Sequence, residues 1–183
     1  IFAIVIRGGE VRAGDAIEIL NGVRAAVITI SDKGAAGARE DKSGPALLEA
    51  LRGAAQVTEQ LVIPDEFEQI KTELTRLADA GKVDLILTTG GTGLAPRDVT
   101  PEATLAVVER LVPGIPEAMR AESRKITDRA MLSRAQAGVR GRTLIVNLPG
   151  SPKAAVECLQ VLLPTLGHAV ETLRGEAYEC ARP

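Results

Sequence analysis

Residues 85–104 read Leu85-Ile86-Leu87-Thr88-Thr89-Gly90-Gly91-Thr92-Gly93-Leu94-Ala95-Pro96-Arg97-Asp98-Val99-Thr100-Pro101-Glu102-Ala103-Thr104. The opening is short and apolar, the pattern of a buried strand. The Thr100-Pro101 pair starts a helix, with a hydroxyl residue ahead of Pro at the first helical position. Between them lie three glycines, which allow φ > 0 and a close approach of backbone to a ligand. Successive N–H groups in such a loop form an anion nest. The loop is not a P-loop, because no Gly-Lys-Ser/Thr follows. It is not the dinucleotide fingerprint either, because Pro96 stands at the third glycine position.

Outward from this loop the same alternation continues. Short apolar, β-branched runs at 25–30, 57–63, 83–88 and 144–148 read as buried strands. Helical spacing predicts helices over 45–52, 67–80, 101–111, 115–124 and 152–163. A β-α-β-α order predicts a three-layer α/β/α domain with a largely parallel sheet. Three helices open alike, at Ser43-Gly44-Pro45, Thr100-Pro101 and Ser151-Pro152. Loops at the carboxyl ends of parallel strands line the binding crevice, and helix N-termini there offer N–H groups to anions. A phosphorylated or otherwise anionic ligand follows from that placement.

Composition removes other classes. The chain has 183 residues, 22 Lys+Arg and 24 Asp+Glu, a formal charge of −2. That balance leaves no basic footprint for nucleic acid. Two Phe, one Tyr and no Trp cannot build a base-stacking platform. One His and two Cys exclude multi-His and four-Cys metal sites. No apolar run approaches the length of a membrane-spanning helix. Few cysteines, and no basic segment followed by an apolar run and a cleavage site, point to the cytoplasm.

The first 22 residues read separately. Ile1-Phe2-Ala3-Ile4-Val5-Ile6 is a strand pattern broken at Arg7-Gly8-Gly9, and 16–20 is a second short strand. Asn21-Gly22 is a turn or linker. Residues 1–22 form an N-terminal β segment on this reading, and 23–183 the main domain. A chain that opens inside an apolar run is the pattern of a piece of a longer polypeptide.

Carboxylates decide how the glycine loop is understood. Asp98 beside a phosphate nest is electrostatically unfavourable unless a cation intervenes or it grips a polar ring. Asp65, in Val62-Ile63-Pro64-Asp65-Glu66, sits past another strand and reaches the same sheet edge. Two carboxylates near phosphates suit Mg²⁺ carried with a nucleotide. The plainer alternatives are that Asp65 caps the helix starting near Glu66 and that Asp98 accepts N–H bonds within its own turn. His168 has no Cys or Ser motif beside it that would make it a base. Cys158 falls in an apolar helical pattern and reads as core. Arg120, Arg124, Lys125 and Arg129 form either a solvated face or phosphate contacts.

The run Thr88 to Thr104 resembles the signature of the MogA/MoaB family of molybdenum-cofactor biosynthesis. The likeness extends along nearly the whole chain from Arg24. It includes Ser31-Asp32-Lys33, Asp41-Lys42-Ser43-Gly44-Pro45, Ile63-Pro64-Asp65, Pro113-Gly114-Ile115-Pro116-Glu117-Ala118-Met119-Arg120, Met131-Leu132-Ser133-Arg134 and Asn147-Leu148-Pro149-Gly150-Ser151-Pro152. Gly8 to Asp15 resembles the last strands of MOSC domains, over only about twenty residues of context; the plainer alternative is an edge hairpin of the main domain.

The resemblance implies the molybdopterin-binding fold and transfer of AMP from Mg-ATP to the terminal phosphate of molybdopterin, with release of pyrophosphate. It implies catalytic and Mg²⁺-holding roles for Asp65 and Asp98. It implies a phosphate cradle of Gly90, Gly91, Thr92 and Gly93, and substrate contacts from Ser123, Ser133, Asn147 and Ser151. Read singly, Ser123 is a helix-surface serine, Ser133 a cap and Asn147 a turn residue. The resemblance also implies a homotrimer and a partner that inserts molybdate. The competing reading is a non-catalytic molybdopterin carrier or scaffold within a MOSC fusion; retained Asp65 and Asp98 favour the enzyme.

Overall fold

The structure is a computed structural model that describes residues 22–176. All but the last residue of the segment 1–22, its MOSC-like stretch and Cys180 lie outside the described residues.

Four strands of the sheet are parallel: β1 (Arg24–Ile30), β2 (Gln56–Ile63), β3 (Leu85–Thr89) and β6 (Thr143–Leu148), with β2 at one edge. Two antiparallel strands, β5 (Ala137–Arg140) and β4 (Arg110–Leu111), extend one edge, and the order is β2-β1-β3-β6-β5-β4. Strands buried on both faces need continuous apolar runs, and β1, β3 and β6 supply them; β2, expected to be buried as well, is instead an edge strand with only Ile63 buried, because Thr58, Glu59 and Gln60 interrupt its apolar run. Alternate residues serve opposite layers.

A single turn, α1 (Asp32–Ala35), follows β1. The helices α2 (Ser43–Ala50), α5 (Gly114–Arg124) and α6 (Pro152–Arg174) cover one face, where Leu47, Met119, Leu159 and Leu166 pack on Val27, Leu87 and Val146. The helices α3 (Phe67–Asp79) and α4 (Thr100–Leu105) cover the other, where Ile70, Leu74 and Ala103 pack on Ile28, Ile86 and Ile145. The three-layer α/β/α architecture expected from the sequence is therefore present.

Three elements differ from the sequence expectation. The helix expected over 101–111 stops at Leu105, and the chain returns to the sheet as β4, with Arg110 opposite Val139 and Leu111 opposite Gly138. A Cβ on Gly138 would lie 2.8 Å from the Arg110 carbonyl oxygen and from Val108, so this edge closes only around a glycine. The β-branched Val107-Val108 pair disfavours continuation of the helix. Strand β5, Ala-Gly-Val-Arg, was not expected, being too short and small to announce itself. The helix expected to end at residue 163 instead runs through Pro164 to Arg174. Interior Pro costs about 3 kcal/mol, but Leu162, Leu166 and Val170 bury in the core around it, each contributing about 1.5–3 kcal/mol. The helix ends at Gly175, whose φ of 77° suits a left-handed C-cap.

The topology locates the binding crevice. From β1 the chain passes to β2 on one side, then crosses to β3 on the other side of β1. At such a reversal a crevice opens outside the carboxyl ends of the strands. The opposite, amino end of the sheet is clamped by Asp84, which is 3% exposed. It accepts bonds from the Arg24 backbone and guanidinium and from the Arg174 guanidinium. Burial works against its ionisation, but the two arginines outweigh it and hold its pKa down at about 2.

Candidate functional site

The loops at the carboxyl end are tied together before any ligand arrives. Asp41 Oδ1 accepts from the Ser43 and Gly44 N–H groups, both at 3.0 Å, while its Oδ2 accepts from Thr29 Oγ1 at 2.9 Å. The start of α2 is thereby pinned to the end of β1. Ser43 Oγ donates to the Gly150 carbonyl at 2.9 Å, and Thr89 Oγ1 to the Pro149 carbonyl at 2.6 Å. Hydroxyls from two elements thus suspend the Pro149-Gly150 turn beside the glycine loop.

That loop needs its glycines. Gly90 and Gly91 have φ of 107° and 63°, where other residues are strained. A Cβ on Gly90 would strike the Ile30 carbonyl, and one on Gly91 would strike Thr100 Oγ1 and lie 3.1 Å from Asp65 Oδ1. Thr100 Oγ1 is fully buried and makes no hydrogen bond among the described residues.

The two aspartates each spend one oxygen on backbone and keep one free among the described residues. Asp65 Oδ2 accepts from the Asp32 N–H at 2.9 Å, and the Asp65 N–H donates to Asp32 Oδ1 at 3.0 Å. Asp98 Oδ2 accepts from the Ala95 N–H at 2.8 Å. The helix-capping alternative for Asp65 is thus incorrect: α3 begins after Glu66 without a side-chain cap bond, and the Asp65 carboxylate turns towards α1. The turn-acceptor alternative for Asp98 holds, and it leaves Oδ1 available. Burial is the main cause that raises the Asp65 pKa; the Asp32 N–H opposes it, and the charges of Asp32 and Asp98 add to it. Asp32 is held below the usual carboxylate range by bonds from Arg97, which also pairs with Glu66.

Two cavities lie on either side of the glycine loop. The larger, of about 740 Å³, is polar and includes Ser31, Asp65, Thr89, Gly90, Gly91 and Asp98 in its wall, with Arg39 and Lys42 at its margin. The smaller, of about 270 Å³, includes Thr92, Gly93, Met119, Ser123, Ser133 and Glu157, with Pro116, Pro149, Ala135 and Cys158 making it mostly apolar. The cradle expected from Gly90 to Gly93 is therefore a ridge: its first two residues face the polar cavity and its last two the apolar one.

The remaining expected residues divide. Ser123 and Ser133 both line the apolar cavity. Ser123 Oγ lies 3.5 Å from Cys158 Sγ, and Ser133 Oγ accepts from the Ala135 N–H at 3.4 Å. Burial pushes the Cys158 thiol up, so it is an inert wall rather than a nucleophile. Ser151 is exposed at the N-cap of α6 and makes no side-chain cap bond. Asn147 needs correction as a pocket residue. It is fully buried in the sheet, donating to Thr88 Oγ1 at 2.9 Å and Thr104 Oγ1 at 2.8 Å and accepting from the Gln136 N–H at 3.1 Å. It lies beneath the site, stitching β6 to β3 and α4.

Sequence reasoning missed Asp41, Asp32, Arg97 and Thr100 as individuals. Asp41-Lys42-Ser43 carries a short-range capping signal that could have identified Asp41. Nothing local signals Arg97 bonding to Asp32, because those residues are 65 positions apart. Among the described residues no group of three or more His, Cys, Asp or Glu could hold a metal by itself. Mg²⁺ does not require one, since it is commonly held by one or two carboxylates together with substrate phosphates. The free oxygens of Asp65 and Asp98, on the wall of one polar cavity, fit that donor set.

The chain is similar to known proteins over most of its length. Residues 26–168 match a family described as a probable molybdopterin binding domain. The chain is 40% identical over 152 residues to a molybdopterin adenylyltransferase of Helicobacter pylori J99, covering 81% of this chain and 86% of that protein. It is 43% identical over 154 residues to the molybdopterin adenylyltransferase of Escherichia coli K12, covering 82% and 79%. Among solved structures, the molybdopterin biosynthesis enzyme MoaB of Thermus thermophilus superposes with a TM-score of 0.80 at 49% identity, covering 86% of this chain and 99% of that one.

Proposed function

Because this chain belongs to the molybdopterin-binding domain family, we propose that it works in molybdenum-cofactor biosynthesis as a molybdopterin adenylyltransferase. It transfers AMP from ATP to the terminal phosphate of molybdopterin and releases pyrophosphate. The observation that carries this reading is the pair of cavities meeting at the Gly90–Gly93 ridge, one apolar and one polar. The ring system of molybdopterin takes the apolar cavity, and ATP the polar one. Their phosphates then meet over the ridge.

The reaction forms a bond between a phosphate oxygen of molybdopterin and the α-phosphorus of ATP, and breaks the bond from that phosphorus to the pyrophosphate oxygen. Such transfers depend on positioning and charge neutralisation more than on covalent work by the protein. Asp65 and Asp98 would hold Mg²⁺, which would supply charge neutralisation to the polyphosphate. Gly90 and Gly91 let the backbone approach the phosphates closely. Arg39 and Lys42 stand where the departing pyrophosphate needs positive charge. Ser123 and Ser133 shape the ring cavity, and Ser151 stands beside the turn that joins the two cavities.

Exposed Leu94 and Met131 suit burial between copies, in a homotrimer that a light-scattering mass checks. A molybdate-inserting partner receives the adenylylated product, and the steps run in the cytoplasm. No helix among the described residues is long and apolar enough to cross a membrane.

The test mixes the purified chain with Mg-ATP and molybdopterin and looks for the AMP adduct and pyrophosphate. Product from the wild type and none from Asp65→Ala supports the transferase. Molybdopterin binding without product leaves the carrier reading instead.

A further inference from the structure

Glu157 lies on α6 and is the one carboxylate among the described residues lining the apolar cavity. Its side chain is 29% exposed, and no hydrogen bond from the described residues reaches it. The nearest cation is Lys153, one helical turn back, at 3.9 Å, and 83% exposed. That distance is beyond a hydrogen bond, and such surface pairs contribute little. Arg129 lines the same wall, but no ion pair joins it to Glu157 among the described residues, and other polar groups of the wall are engaged. Ser123 contacts Cys158, and the Arg120 guanidinium donates to the Ser133 and Ala135 carbonyls.

A ligand that fills this cavity removes water from Glu157. A desolvated carboxylate without donors is costly, so the ligand must bring donors to it. An ionised carboxylate accepts two parallel N–H bonds best, one on each oxygen. The pyrimidine edge of a pterin carries such a pair side by side, its exocyclic 2-amino group and its ring N3–H. We propose that Glu157 reads this edge, accepting both bonds, and thereby selects a pterin over related bicyclic rings. The proposal rests on the assignment of the apolar cavity to the molybdopterin ring.

The discriminating probe is a lumazine, the same ring system with an oxo group in place of the 2-amino group. Its oxygen would face the carboxylate as a second acceptor. Fluorescence titration with 6-hydroxymethylpterin and 6-hydroxymethyllumazine should show the wild type preferring the pterin by about tenfold to a hundredfold, as expected for bonds to a charged group. In Glu157→Gln the preference should fall to about threefold or less, because an amide turns either its oxygen or its NH₂ to the ring. An unchanged melting temperature shows that the variant folds. In the transfer reaction Glu157→Gln should raise KM for molybdopterin about tenfold, while kcat at saturation and KM for Mg-ATP stay at wild-type values, the pattern of lost uniform binding.

Wild-type preference for pterin retained in Glu157→Gln overturns the proposal, as does a wild type that binds both rings equally. A wild type that binds neither ring overturns the cavity assignment, and the role of Glu157 with it. A wild type that prefers pterin through Glu157 but makes no AMP adduct overturns the transferase reading alone.

Discussion

At the amino end of the sheet Asp84 accepts five hydrogen bonds from Arg24 and Arg174. At the carboxyl end Asp65 accepts one, from the Asp32 N–H. Both are aspartates at strand ends of the same sheet, yet their carboxyl groups are displaced in opposite directions. Asp84 is held at about 2, while burial and neighbouring acids raise Asp65. The saturated carboxylate fastens β1, β3 and α6 together. The unsaturated one retains electrostatic demand that a cation can meet. Such local frustration is expected where a site is built for a ligand rather than for stability.

The largest expected effect comes from removing the charge at the unsaturated end. Asp65→Asn should lower kcat for adenylyl transfer about a hundredfold to a thousandfold, the scale for loss of one preorganised electrostatic group. Its melting temperature should equal or exceed that of the wild type. A wild-type rate in this variant would remove Asp65 from the chemistry.

Asp84→Asn should do the reverse. It leaves two arginines without their carboxylate and should destabilise the fold by about 3 kcal/mol, the low end for breaking a buried pair because water partly screens Arg24. Transfer activity at moderate temperature should persist, as read by denaturant midpoint beside turnover. Equal stability with lost activity would contradict the division between the two ends.

Asn147→Ala probes the layer between them. It strips partners from Thr88, Thr104 and the Gln136 N–H, and should cost about 2 kcal/mol. Any loss of activity should accompany that instability, with KM for molybdopterin moving little. A large selective rise in that KM would restore Asn147 as a substrate contact.

The smallest effect is in pH dependence. Asp84 has a lowered folded pKa, so its contribution is present above the unfolded value of about 4 and is lost as pH falls from there towards 2. Asp65 has a raised pKa, so its contribution is present at low pH and lost as pH rises through its folded value. Acid unfolding should therefore flatten between about pH 4 and 2 in Asp84→Asn and stay steep in Asp65→Asn. Equal acid limbs in both variants would erase the contrast.

Much of the fold was legible because its signals are local. Three continuous apolar runs sit where the inner parallel strands β1, β3 and β6 lie, and glycines and prolines punctuate them; the run read as buried at 57–63 is interrupted by Thr58, Glu59 and Gln60 and lies at the sheet edge. The edge strand β4 was misread as helix because Val107, Val108 and Val112 fit either period; pairing with Gly138 decides between them. Helix α6 was cut short at Pro164 because the compensating burial of Leu166 and Val170 depends on distant strands. In the site, the glycine loop stood out from residue type and placement, while Asp65 and Asp98 read equally well as a helix cap and a turn acceptor and took their site roles only from the family resemblance. Arg97 and Glu157 were not legible, since each looks like any surface charge until the chain folds.

The sequence by itself determined the layered α/β class, the crevice edge and the chemical character of its loop, because strand periodicity, helix starts and backbone freedom at glycine act over a few residues. Only the tertiary structure decided that the loop is a ridge between two cavities. It alone placed Asn147 under the site rather than in it, and it alone left Asp65 unsaturated while saturating Asp84. Those outcomes rest on hydrogen bonds and burial between residues far apart in the chain, whose energies exist only once the layers have packed.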